Sequence, residues 1–327
     1  MRKRDITRKA HALGERGYPA STQTSVLRMT DYFDPRVLAR IDGYELRSLR
    51  LVESFMTGMH KSRLLGISTE FAQHRQYVAG DDTKHLDWKV FAKTDRYFVK
   101  QYEAETNMQV VFVLDCSQSM FFRSDTAPLG KYDYAATIIS TLTYLLLQQQ
   151  DLFGLALFDG GLRTLTPARG AQSHYRNLLK MMQDAKPARQ TDVAEAFFQI
   201  APQLKRRSLV VVLSDFLTDT DRLALGLGQI SFGEHDVVLF HVEDPEERDF
   251  PYRGQTIFNG SENEGKLLCD PRDLRQAYLN SRHRHLTAVR ETSQQFGYDV
   301  IEMPTDGRMD DTLAKFLAYR QSRRARP

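Results

Sequence analysis

The run Val110-Val111-Phe112-Val113-Leu114-Asp115-Cys116-Ser117-Gln118-Ser119 decides how the chain folds. Its first five residues are apolar without alternation, which is how a strand reads when both faces are covered. Leu209 to Leu213 and Val237 to Val242 repeat the pattern, and Phe153 to Phe158 and Tyr298 to Met303 are weaker copies. Between them lie helical periodicities at Tyr132 to Gln149, Tyr175 to Met182, Val193 to Leu204 and Arg222 to Ile230. Strands of this kind alternating with helices predict an α/β fold: a doubly wound, mostly parallel sheet with helices on both faces.

The chain ahead of Val110 differs in character. A helix-like stretch runs from Pro35 to about Met59, followed by a segment rich in charge and aromatics from Arg63 to Glu105. A boundary near residue 106 follows. It divides an N-terminal helical and aromatic-rich extension, 1–105, from an α/β domain with C-terminal helices, 106–327. A length of 327 residues accommodates one such core plus an appended region.

Composition narrows the function classes. Hydrophobic residues make up 41% and charged residues 27%, ordinary globular usage that argues against disordered, fibrous and membrane classes. The 45 basic and 42 acidic residues nearly balance, so no nucleic acid is expected as a partner. Arg2, Lys3, Arg4, Arg8, Lys9 and Arg16 at the start, and Arg320, Arg323, Arg324 and Arg326 at the end, read as solvated, frayed tails. Cys116 and Cys269 form no metal-binding array and fit a reducing compartment. No signal peptide is visible, and Ile138 to Leu147 is too short to span a bilayer. The expected location is the cytoplasm, without a transmembrane segment.

Asp115, Ser117 and Ser119 occupy alternate positions after the first buried strand, and alternate residues of an extended segment point the same way. One carboxylate and two hydroxyls suit a hard divalent cation, Mg2+ first, with Mn2+ or Ca2+ as alternatives. Asp215 stands in the mirror position after Leu209 to Leu213. Ligands of open α/β sheets sit beyond the carboxyl ends of strands, where strand order reverses. Thr191 supplies a fifth oxygen, because Asp192 with Glu195 makes the better helix cap and leaves Thr191 free. Each of these residues, taken alone, also suits a turn or a cap. Cys116 should point away from the cation and pack as a small hydrophobe, with Cys269 in ordinary packing. His174 and His241 read as satisfied polar residues.

Together, Asp115-x-Ser117-x-Ser119, Thr191 and Asp215 resemble the metal-ion-dependent adhesion site of von Willebrand factor A-type domains. The resemblance implies that the serines and the threonine coordinate the metal while the aspartates act largely through water. It also implies that an open coordination position accepts an acidic side chain from a partner protein. A second resemblance rests on Gly66-Ile67-Ser68-Thr69-Glu70-Phe71, Arg75-Gln76-Tyr77, Gly80-Asp81-Asp82 and Leu86-Asp87-Trp88. Tyr278, Phe296-Gly297-Tyr298 and Leu313 to Arg320 extend it. These segments, spanning about Leu38 to Arg320, are similar to bacterial proteins called domain of unknown function 58. That family implies association with MoxR-type AAA+ ATPases and a chaperone-like assembly or maturation role. Many relatives carry N-terminal membrane helices, which this sequence lacks.

Within the signature segment, Arg75, Asp81, Asp82, Asp87 and Trp88 are candidate partner-binding residues. The structural alternative is that Gly80-Asp81-Asp82 forms a turn, while Phe71, Tyr77, Trp88, Phe91, Tyr97 and Phe98 pack against the α/β domain. The nine histidines form no catalytic motif, and no phosphate-binding glycine loop is present. The expectation is therefore a non-enzymatic, metal-dependent protein–protein interaction module. It would act as adaptor between a MoxR-type AAA+ ATPase and a client presenting an acidic residue. The alternative is a metal-dependent phosphohydrolase or phosphotransfer domain using Asp115, although Ser117 stands where the phosphatase pattern wants a second aspartate.

Overall fold

The computed structural model describes residues 43–59, 71–76, 90–91, 97–102, 109–187, 191–204, 207–259 and 265–324. Helix α1 (Tyr44–Met59) precedes an antiparallel pair, β1 (Phe71–Gln76) and β2 (Phe98–Tyr102). The main sheet begins with β3 (Gln109–Asp115), α2 (Lys131–Gln148), β4 (Leu152–Phe158) and β5 (Leu162–Arg169). It continues with α3 (Gln172–Asp184), α4 (Val193–Ile200), β6 (Leu209–Ser214), α5 (Thr220–Ser231) and β7 (Asp236–Glu243). Short α6 (Pro245–Asp249) and a hairpin of β8 (Thr256–Asn259) and β9 (Lys266–Cys269) come next. Then follow α7 (Pro271–Gln295), β10 (Asp299–Pro304) and α8 (Met309–Arg324).

The strands lie in the order β10-β7-β6-β3-β4-β5, and all neighbours are parallel except β4 and β5. The doubly wound, mostly parallel sheet expected from the sequence is thus present. From β3 the chain moves to β4 and the β5 edge, then returns to β6 on the other flank of β3. Strand order therefore reverses between β3 and β6, and the loops leaving their carboxyl ends diverge around a crevice.

Two cores explain the non-alternating strands. Phe112, Leu114, Leu155, Val211 and Phe240 face one side of the sheet, against Ile138 and Leu142 of α2, Tyr175 of α3 and Phe316 of α8. Val111, Val113, Val210, Val212 and Leu239 face the other, against Phe197 of α4, Leu223 and Leu227 of α5 and Val289 of α7. Helix α1 joins the first core through Tyr44 and Leu51. Tyr44 Oη also donates to Asp133 Oδ1 (2.7 Å), and the Ser48 and Tyr175 hydroxyls pair at 2.9 Å. The greasy run in α2 is accounted for by covering the sheet, and among the described residues no helix is long and apolar enough to cross a membrane.

Two local readings are corrected. The helix from Val193 ends at Ile200 and passes into a 3-10 turn, Ala201–Gln203, instead of reaching Leu204, because Pro202 has no N–H to continue the ladder. Arg320, Arg323 and Arg324 belong to α8, not to a frayed tail, because Met309, Leu313 and Phe316 bury one face and carry the helix onward. Arg326 and the basic residues from Arg2 to Arg16 lie outside the described residues.

Helix α5, which leads away from the crevice, is held by its cap: Asp219 Oδ1 accepts from Asp221 N (2.8 Å) and Arg222 N (3.1 Å). Asp219→Ala is expected to cost about 1 kcal/mol, the usual worth of such a cap, read as a shift in denaturant midpoint at unchanged slope.

Candidate metal centre

Strand β3 delivers Asp115 to the crevice, fully buried, and Cys116 N donates to Phe158 O (2.7 Å) before the chain turns away. That bond sends the Cys116 side chain into the first core, as expected from strand alternation. The turn is closed by Ser117 N donating to Asp115 Oδ1 (2.8 Å), and Ser119 opens a short 3-10 helix, Ser119–Phe121. The Ser117 and Ser119 hydroxyl oxygens lie 3.1 Å apart, both buried.

The other strand end completes the arrangement. Ser214 donates to Asp115 Oδ2 (2.6 Å), and Thr191 donates to the same oxygen (3.3 Å) from the loop before α4. Asp192 caps α4 by accepting from Glu195 N (3.0 Å), which leaves Thr191 free to face Asp115. The Glu195 carboxylate turns to Gln199 (2.6 Å) instead of closing the capping box. Asp215 follows Ser214, accepts from Leu217 N (3.3 Å) and has Ser119 beside it. Asp115, Ser117, Ser119, Thr191 and Asp215 therefore come together around one crevice.

The two carboxylates are held very differently. Burial, with Asp215 nearby, pushes the Asp115 carboxyl up to about 7 against the pull of Ser214 and Ser117. Burial also opposes the charge on Asp215, but the ammonium of Lys131 outweighs it and holds this carboxyl below its ordinary range. Lys131 is fully buried, with Nζ 2.9 Å from Asp215 Oδ2 and 2.8 Å from each Glu247 oxygen.

Sequence reading missed Lys131, Ser214 and Glu247. Lys131 carried a signal: it opens a helix whose Tyr132, Tyr134, Ala135 and Ala136 are all buried, an unusual run for a lysine. Glu247 carried none, since it arrives from α6, 116 residues later. His174 Nε2 meets the Phe153 carbonyl (2.9 Å), a satisfied polar group as expected. His241 is buried against the Phe216 ring, and desolvation lowers its pKa to about 4, so it is neutral at physiological pH.

A cleft of about 380 Å³ adjoins the site, lined by Thr191, Asp192, Leu217, Thr218, Asp219, Arg222 and His285. Leu217 is 53% exposed on its rim. Among the described residues no group of three or more His, Cys, Asp or Glu side chains gathers to hold a metal. Arg75 lies on β1 opposite Val99, while Asp81, Asp82, Asp87 and Trp88 lie outside the described residues. Of the neighbouring aromatics, Phe91 and Tyr97 stack with centroids 4.5 Å apart.

A family model described as "Protein of unknown function DUF58" matches residues 73–288. Uncharacterized proteins of Mycobacterium bovis and Mycobacterium tuberculosis are 27% identical over 311 residues, covering 94% of this chain and 96% of each relative. Among solved structures, an aerotolerance-related membrane protein from Bacteroides fragilis is similar at TM-score 0.45 and 19% identity, over 64% of this chain and 97% of that one. BatB from Bacteroides thetaiotaomicron is similar at TM-score 0.42 and 17% identity, over 65% and 98%. The VWA domain of SpRpn10 is similar at TM-score 0.39 and 11% identity, over 64% and 95%.

Proposed function

As the chain belongs to the DUF58 family of proteins of unknown function, its role has to be read from its own site, and we propose that it is a divalent-cation-dependent protein-interaction module. The observation that carries this reading is the pair of serine oxygens 3.1 Å apart, each beside a buried carboxylate. Magnesium takes oxygens at about 2.0–2.1 Å in an octahedron, which sets neighbouring ligands about 3 Å apart; calcium wants a wider spacing. The Ser117 and Ser119 hydroxyls can donate to Asp115 and Asp215, which leaves their oxygen lone pairs facing outward. Ser117, Ser119 and Thr191 would hold the cation, Mg2+ by preference, with the aspartates behind them. A bound cation supplies an electrophile for an incoming carboxylate. Thr191 touches both the centre and the cleft, so an acidic side chain would enter beside Leu217.

The partner chemistry favours an adaptor over an enzyme. Ser117 N, Ser214 and Thr191 already donate to Asp115, which leaves it a poor nucleophile toward phosphorus, and His174 and His241 are buried. The partners proposed are a MoxR-type AAA+ ATPase, on the strength of the family's usual association, and a client presenting an aspartate or glutamate. The proposed setting is the cytoplasm.

Affinity capture on the immobilised full chain, with magnesium or with EDTA, tests the proposal. The ATPase is expected in the magnesium eluate and absent with EDTA. Equal recovery in both would show that no metal bridges the pair.

A further inference from the structure

We propose that Lys131 sets the charge of the centre, so that a bound cation keeps attraction for an acidic guest at the expense of its own retention. The inference rests on the cation-binding reading above. Two buried carboxylates alone would offset a divalent charge completely, and a third carboxylate from outside would find little to attract it. Lys131 changes that balance. Its Nζ sits 2.9 Å from Asp215 Oδ2, while Leu217 N donates to Oδ1 at 3.3 Å, so both oxygens of Asp215 already accept a hydrogen bond and the carboxylate charge is opposed by the ammonium.

The lysine cannot leave this position easily. It has no exposure, and Glu247 grips it through both carboxylate oxygens at 2.8 Å. Glu247 is itself held, with Oε2 accepting from Asp244 N (3.4 Å) in the cap of α6. Glu247 is 29% exposed and thus partly screened by water, so it weighs less on the centre than the fully buried ammonium. Lys131 is accordingly a specificity-determining residue that acts on the centre through Asp215, with Glu247 as its opposing weight.

This predicts effects of opposite sign on metal and guest, which loss of folding or loose packing does not produce. Manganese, titrated into the full chain and followed by the paramagnetic resonance of the free ion, reads metal affinity. Acetate, titrated into the manganese-loaded chain and followed by water-proton relaxation, reads guest affinity. Lys131→Met is expected to bind manganese about tenfold tighter and acetate about tenfold weaker than wild type, a fraction of what one unopposed charge at short range would give, because Glu247 offsets part of the ammonium. Glu247→Gln is expected to shift both the other way by a smaller factor, and it carries the test alone if Lys131→Met does not fold. Wild type that binds manganese alongside variants that match it, or that weaken both ligands together, overturns the role of Lys131 while leaving the cation site standing. Wild type that fails to bind manganese overturns both.

Discussion

Magnesium added to the metal-free chain at pH 8 is expected to raise its Tm by about 5 °C, and Asp115→Asn is expected to abolish that response. Ligand at a hundredfold excess over its Kd stabilises by about 2.7 kcal/mol, and each kcal/mol moves a chain of this size by roughly 2 °C or more. The pH dependence has a definite sign. Burial, with Asp215 nearby, lifts the Asp115 carboxyl from 3.8 to about 7. A carboxyl raised in the folded state contributes stability that is present below its unfolded value and lost as pH rises through the folded one. Metal-free wild type should therefore weaken between pH 4 and pH 7 on account of this residue. The magnesium gain should be larger at pH 8 than at pH 5, where a proton competes for the same carboxylate. Asp115→Asn should lose both the slope and the gain, because the amide neither titrates nor carries charge. Thermal melts with EDTA and with magnesium at the two pH values decide the matter. An undiminished magnesium shift in Asp115→Asn would return Ser117 and Ser119 to the role of turn residues.

Gly226→Val is expected to lower stability by about 3 kcal/mol, the upper part of the range for overpacking, and Tm by roughly 6–12 °C. Helix α5 crosses α4 at this glycine. A Cβ there would lie 2.9 Å from Ala194 Cα and 2.9 Å from Phe197 Cδ2. The phenylalanine ring can shift, but the Ala194 backbone cannot retreat without moving α4. That movement reaches the centre: Arg222 of α5 pairs with Asp192, the cap of α4 and the neighbour of Thr191. Magnesium affinity should fall along with Tm. A variant that melts like wild type would mean that the two helices do not meet at this point.

Much of the fold was legible because burial on both faces leaves a mark that needs no partner to be seen. Val110 to Leu114, Leu209 to Leu213 and Val237 to Val242 are apolar at every position, and each strand feeds two cores. The edge strand β5 left no such mark, since its residues are mostly half exposed and pair only with β4. The β8–β9 hairpin was equally silent, with Ile257, Leu267 and Leu268 largely exposed. Helix α1 could be read as a helix, but its packing on the first core depends on Tyr44 meeting Asp133 and Ser48 meeting Tyr175.

At the centre the division follows distance along the chain. Sequence by itself marked the local half: Asp115, Ser117 and Ser119 lie within five residues of one strand end, although a helical turn at Gln118, and not strand alternation, brings Ser119 beside Ser117. It also marked Asp215 and Thr191 as oxygens at the right kinds of position. Only the tertiary structure decided which carboxylate carries an uncompensated charge. Ser214 reaches Asp115 across 99 residues, Lys131 reaches Asp215 across 84, and Glu247 reaches Lys131 across 116. Electrostatic energy depends on separation in space and on burial, neither of which a linear pattern encodes. The same two aspartates, equivalent in sequence, thus become one carboxyl lifted to about 7 and one held down by a buried ammonium.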